Sequence, residues 1–239
     1  MTLLWGSVVH RPYVYAFFVV FFFFAVRQLG VRGAAAFAVM AWSVAFLAEY
    51  SSTRNGFPFG KYVYFDETRT RELWVSNVPF WDSLSFVFLS YFSWNLAAAV
   101  LSPCEPERAM GRFACAPVAG FLMMLLDVVI DPVALRGERW FLGKIYEYPK
   151  AGPYFGVTLE NFVGWFLVGS FIVWLAQRFL REPRVQGALF ARGVLGVYAG
   201  VLAFNLGMTA WIGEWGLLAA SAAVSALTLF AVGRRALCF

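Results

Sequence analysis

Apolar residues in this chain fall into seven long runs, at about residues 12–30, 33–50, 78–102, 113–135, 158–180, 189–212 and 214–233. Each is close to the length an α-helix needs to cross a hydrocarbon layer about 30 Å thick. Residues 83–102, 193–213 and 215–233 carry no charged side chain at all. The pattern predicts an all-α, polytopic bundle of transmembrane helices forming one domain over residues 1–239. About seven spans are expected, within a range of six to eight, because the first run is short enough to lie tilted, interfacial or re-entrant. That run ends at Arg27 without a small-x-small cleavage site, so it reads as a retained helix rather than a secretion signal.

Polar positions concentrate in two long connections, residues 51–77 and 136–157, which mix charge with glycine, proline and aromatic residues. Alternating spans place both connections at one membrane face. Long ordered loops carry function more often than short ones. Basic residues number nine on the side of these loops and ten on the other, so totals do not orient the chain. Weighting the short loops and the Arg234–Arg235 tail places the C-terminus inside.

Composition narrows the function classes. Hydrophobic residues make up 61% and charged residues 14%, with a mean hydropathy of +0.68, as expected for a protein dissolved in lipid. The net charge of +5 comes from basic residues standing singly or in pairs between apolar runs, and this excludes a nucleic-acid-binding stripe. Cys104, Cys115, Cys238 and the single histidine, His10, are poor material for a zinc site, an iron–sulfur cluster or a bis-histidine haem. No glycine-rich dinucleotide fingerprint is present. A reaction without metal or redox cofactor is therefore expected. The only lysines, Lys61, Lys144 and Lys150, fall in loops, which removes an intramembrane Schiff base.

Ionisable side chains within spans are costly and mark a functional site or an internal partner. Glu49 closes the second run, Asp82 opens the third, Asp127 and Asp131 close the fourth, and Glu160 opens the fifth. All five fall at the face carrying the long loops. Asp127 and Asp131 are four residues apart and project from one helix face. Neighbouring carboxylates in a low dielectric cannot both ionise cheaply, so one of this pair is expected to hold a proton and act as a general acid. Pro132 is expected to end or kink the helix there. Asp82 and Glu160 lie in first turns, where orphan N–H groups and the helix dipole favour an anion suited to act as a base or cation stabiliser. The plainer alternative is that these acids pair with loop arginines such as Arg54, Arg136 or Arg139.

Aromatic residues make up 20% of the chain, and most suit lipid-facing and interfacial positions. Trp81, Tyr154, Phe155, Phe162 and Trp165 flank the acids, where their π faces could line a hydrocarbon pocket and stabilise a carbocation.

The run Asp127-Val-Val-Ile-Asp131-Pro132, then Trp140, then Gly152-Pro-Tyr154-Phe-Gly156 leading to Glu160-Asn161-Phe162-Val-Gly164-Trp165, resembles the membrane carotenoid biosynthesis protein family. Gly56-Phe-Pro58-Phe-Gly60-Lys-Tyr62-Val-Tyr64 after Glu49 is similar to another of its recurrent stretches. The family includes carotenoid 1,2-hydratases. The resemblance implies an enzyme of the cell (inner) membrane that takes an apolar carotenoid substrate and adds water across its terminal double bond, with other carotenoid-pathway enzymes as potential partners. In that reaction Asp127 or Asp131 would donate the proton, Glu160 or Asp82 would orient water as the base, Glu49 would belong to the same catalytic set and Asn161 would serve as a hydrogen-bonding positioner. Three other functions stay open from sequence: a carotenoid-end cyclase, a lipophile transporter or binding protein, and a magnesium-dependent prenyltransferase. The prenyltransferase would use Asp127 and Asp131 as half of a diphosphate site, for which Asp82 with Asn77 is a poor second half.

Overall fold

The computed structural model describes residues 3–101, 112–180 and 187–236; Cys104, Cys238, Arg108, Arg181 and Arg184 lie outside the described residues. The helices are α1 (Leu3–His10), α2 (Pro12–Asn55), α3 (Phe80–Leu101), α4 (Arg112–Ala134), α5 (Leu159–Phe179), α6 (Gly187–Trp211) and α7 (Trp215–Ala236). Six of them, α2 to α7, are long and apolar enough to cross a membrane.

The 44-residue α2 supplies two crossings. Gly30 breaks it with φ 74° and ψ 169°, a region of backbone space open essentially to glycine alone. Phe21 and Phe37 stand sixteen positions apart, about 24 Å on a continuous helix. Their rings nevertheless lie 6.0 Å apart, and both pack on Tyr91 of α3, at 5.1 and 5.7 Å. The chain therefore reverses at Gly30 into two arms, α2a (residues 12–29) and α2b (residues 31–55), giving the seven spans that the hydropathy pattern predicts. The short helix α1 precedes them and has no counterpart in that pattern.

α3 lies at the centre of the bundle and is buried nearly all round, including the bulky Tyr91 and Trp94. α4 and α5 approach most closely where both carry glycine. A Cβ on Gly120 would lie 2.4 Å from the Phe166 carbonyl oxygen, and one on Gly169 would lie 3.2 Å from the Gly120 Cα. Small residues allow this approach where lipid gives helices no hydrophobic drive to associate.

The long loops fold over one end of the bundle. β1 (Val63–Tyr64) pairs antiparallel with β4 (Tyr146–Glu147), while β2 (Trp74–Val75) and β3 (Val78–Pro79) form a separate hairpin. The β1–β4 ladder joins the first long loop to the second and places both at the same face. α2b ends at Gly56, whose left-handed backbone directs its N–H to the Ser52 carbonyl at 3.0 Å. The Ser52 hydroxyl then accepts the Phe59 N–H at 2.9 Å, fixing the start of the loop against the helix.

Candidate active site

One wall is built from α4 and α5. The spacing of Asp127 and Asp131 stacks them one helical turn apart, and α4 runs only to Ala134, two residues beyond Pro132. Asn161, in the first turn of α5, donates its amide to both acids: 2.6 Å to Asp127 Oδ2 and 2.8 Å to Asp131 Oδ2. Asp127 is fully buried and its Oδ1 has no hydrogen-bond partner. Asp131 is half-buried and lines the adjoining cavity. The buried Tyr146 hydroxyl faces Asp131; burial first, then the Asp131 charge, push the phenol up and keep it protonated.

The opposite wall is built from α2b, α3 and the residue that joins α1 to α2a. Glu49 of α2b accepts hydrogen bonds from the Tyr64 hydroxyl at 3.1 Å and from the Ser83 hydroxyl. Arg11 is 1% exposed and grips Glu72 with two nitrogens, at 2.7 and 3.1 Å, while its third nitrogen donates to Asp82 Oδ1. Asp82 Oδ2 is buried and unpartnered. The loop arginines do not serve these acids: Arg54 donates to Asn77 at 2.8 Å, and Arg139 pairs with Glu214 at 2.6 Å, with Arg136 at 3.9 Å from the same carboxylate.

Between the walls lies a cavity bordered by Glu49, Asp82, Asp131 and Asn161 and otherwise chiefly by rings and aliphatic side chains. Trp165 stacks on Phe86 at 4.2 Å, and Trp81 lines the same space. Tyr62, Tyr64, Tyr146 and Tyr148 close the loop side, their neighbouring rings 5.2 to 6.3 Å apart. Burial pushes all four phenols up, reinforced by Glu49 at Tyr62 and Tyr64 and by Asp131 at Tyr146 and Tyr148, so they remain neutral O–H groups.

Of the residues expected from sequence, Glu49, Asp82, Asp127, Asp131, Asn161, Trp81 and Trp165 converge on this space. Glu160, Tyr154, Phe155 and Phe162 do not. Glu160 is exposed and lines a separate outer cleft with Lys61 and Lys150. Tyr154 packs against Phe155 and Phe162 at 5.1 and 5.5 Å, outside the cavity lining. Adjacent helical residues point about 100° apart. With Asn161 and Trp165 turned inward on α5, Glu160 and Phe162 are turned away.

Sequence reasoning missed Arg11, Glu72 and the tyrosines. The tyrosines had a signal: Tyr62-Val-Tyr64 and Tyr146-Glu-Tyr148 repeat with the period of two that puts side chains on one face of a strand. Arg11 had a weaker one, as a cation beside the first span at the face holding all the acids. Among the described residues no group of three or more His, Cys, Asp and Glu is arranged to hold a metal ion.

Fold and site together define a polytopic helical membrane protein whose intramembrane cavity is walled by carboxyl groups and aromatic rings at one face. Residues 10–230 match the carotenoid biosynthesis protein family, and the chain belongs to that family. It is 29% identical over 127 residues to the bisanhydrobacterioruberin hydratase of Haloarcula japonica, a match covering 53% of this chain and 39% of that relative. The aligned region thus spans well under half the length of that relative. No solved structure matches the chain.

Proposed function

We propose that this protein is a cofactor-independent hydratase of the cell (inner) membrane, adding water across the terminal double bond of an acyclic carotenoid. The observation that carries this reading is one amide, that of Asn161, donating to both Asp127 and Asp131 at the edge of an aromatic-lined cavity. Two carboxyls this close, with only a neutral donor between them, share a proton rather than both ionise. Asp131 lines the cavity and Asp127 lies behind it, so Asp131 is the donor.

The O–H bond of Asp131 breaks as a C–H bond forms at C2 of the alkene, leaving a tertiary cation at C1. Trp165, Phe86 and Trp81 present π faces to that cation, and the pair, now fully ionised, lies opposite it. Water attacks C1, forming the C–O bond, and its surplus proton passes to a base on the other wall. Both Glu49 oxygens are occupied by donors, whereas Asp82 is paired with Arg11 through Oδ1 and keeps Oδ2 unpartnered. Asp82 is therefore assigned as the base. Return of that proton through solvent to Asp131 restores the enzyme, and the net change is one added water.

The test expresses the chain in a host accumulating an acyclic carotenoid and reads product mass, then repeats it with Asp127→Asn, Asp131→Asn and Asp82→Asn in purified protein. Gain of one water, lost with Asp131→Asn and Asp82→Asn, is the expected result. An isomer of unchanged mass would instead identify a cyclase, activity lost with EDTA a metal-dependent prenyltransferase, and carotenoid bound without turnover a transporter. Full hydration by the Asp131→Asn variant would sink the assignment of Asp131 as donor, and full hydration by both the Asp127 and Asp131 variants would remove the pair from the reaction.

A further inference from the structure

The cavity is shorter than the molecule it is proposed to hold. Its lining on α3 runs from Trp81 to Leu89, about 12 Å of helix, whereas a linear polyene can match the hydrocarbon layer of about 30 Å. Most of the substrate must cross a wall, and as hydrocarbon it gains nothing by crossing the polar loops. The seam between α2a and α6 borders the cavity at Tyr13 and Phe204. Two aromatic contacts clamp it: Tyr13 stacks on Phe204 at 5.9 Å near the loops, and Phe24 packs on Phe190 at 5.3 Å toward the far face. Tyr13 and Phe204 line the cavity yet are only half-buried, so this rim belongs to both the cavity and the outside.

Glycines on one stripe of α6 mark where the seam is shut and where it is open. A Cβ on Gly193 would lie 2.8 Å from the Phe24 ring, whereas one on Gly200, seven residues along, would meet no atom within 4 Å. Seven residues return a helix to nearly the same direction, so the stripe is closed at Gly193 and open from Gly200, beside Val201 of the cavity lining, on to Gly207.

Taking the substrate to be the long apolar isoprenoid of the functional reading above, we propose that its polyene body lies in this seam. The reactive end is at the carboxyls, and the chain crosses over Gly200, between the Tyr13–Phe204 and Phe24–Phe190 clamps, into the bilayer. The cavity is loaded sideways from lipid, and the residue at position 200 sets which chain lengths and thicknesses pass.

The test is a graded series, Gly200→Ala, Gly200→Leu and Gly200→Trp, in the full chain in membranes. Each variant is assayed on an acyclic carotenoid and on a hydrocarbon of two or three isoprene units with the same terminus, short enough to fit inside the cavity. The readout is the ratio of the two rates, which cancels loss of folded protein. It should fall stepwise with side-chain volume, by about tenfold or more at Gly200→Trp, and stay at the wild-type value for Leu227→Trp, a 70%-exposed site on α7. A ratio independent of the residue at position 200 overturns the seam while leaving the hydratase reading intact. A wild-type protein that hydrates neither compound overturns that reading itself.

Discussion

Truncating Arg11 to Met tests whether the second wall is a held anion or ordinary packing. The guanidinium is 1% exposed, chelates the fully buried Glu72 and also donates to Asp82. Methionine keeps most of the stem's volume but leaves two carboxyls facing each other without a cation. Breaking a buried ion pair in this way costs about 3–5 kcal/mol, much of it the penalty of the stranded charge. In a chain of this size each kcal/mol moves the melting temperature by about 2–4 °C, so a drop of roughly 10 °C is expected. Hydration should fall with it, because Asp82, the base of the proposed reaction, loses the partner that orients it. The assay is thermal unfolding of purified protein in detergent, followed by helical circular dichroism. Arg11→Met/Glu72→Gln removes one of the stranded charges and should recover a good part of the loss, whereas Arg11→Lys, a point charge without the planar fork, should fall between wild type and Arg11→Met. An Arg11→Met variant melting within about 2 °C of wild type, or a double variant no more stable than the single one, would refute the reasoning.

Two further outcomes follow from the geometry. Tyr146→Phe removes only the hydroxyl facing Asp131 and keeps the ring among its tyrosine neighbours; turnover should fall about tenfold with little change in stability, and unchanged turnover would remove Tyr146 from the site. Gly30→Ala meets no neighbour within 4 Å, so its expected cost of about 1–3 kcal/mol is purely that of holding a Cβ in a glycine-only conformation; wild-type melting would mean that the α2a–α2b reversal does not depend on Gly30.

The parts of this molecule legible in the sequence are those fixed by short periods. Seven apolar runs gave seven crossings, and the four-residue spacing of Asp127 and Asp131 gave a stacked pair. Helix capping did not identify the inward-facing residue on α5. Glu160 was favoured for its place in the first turn, but the side chain facing the cavity is decided by the buried stripe through Asn161, Trp165 and Val168, at intervals of four and three. The pairing of β1 with β4 was illegible because a single tyrosine alternation at each strand does not say which strand it pairs with, and the partners lie more than eighty positions apart. For the same reason Arg11, which lies 61 residues from Glu72 and 71 from Asp82, could not be matched to either by local pattern.

The two acidic walls differ in what accompanies the carboxyls, and that difference gives the cavity a direction. Among the described residues, Glu49, Glu72, Asp82, Asp127 and Asp131 lie at or just behind its lining, and the guanidinium of Arg11 is bonded to Asp82 and Glu72 on one side only. Glu49 and the Asp127–Asp131 pair are served by hydroxyl and amide donors, which stabilise a carboxyl in either protonation state far less selectively than a cation does. The Asp127–Asp131 pair thus meets only neutral donors, whereas Asp82 on the α2b–α3 wall meets a cation. In the proposed reaction, protonating an alkene between them moves positive charge off the pair and onto carbon as the pair becomes doubly anionic, so the cation forms beside two carboxylates, and water arrives from the side of the proposed base. Exchanging the character of the walls, by placing a cation beside Asp127 and removing Arg11, would leave the same carboxyls in place and the chemistry without a donor.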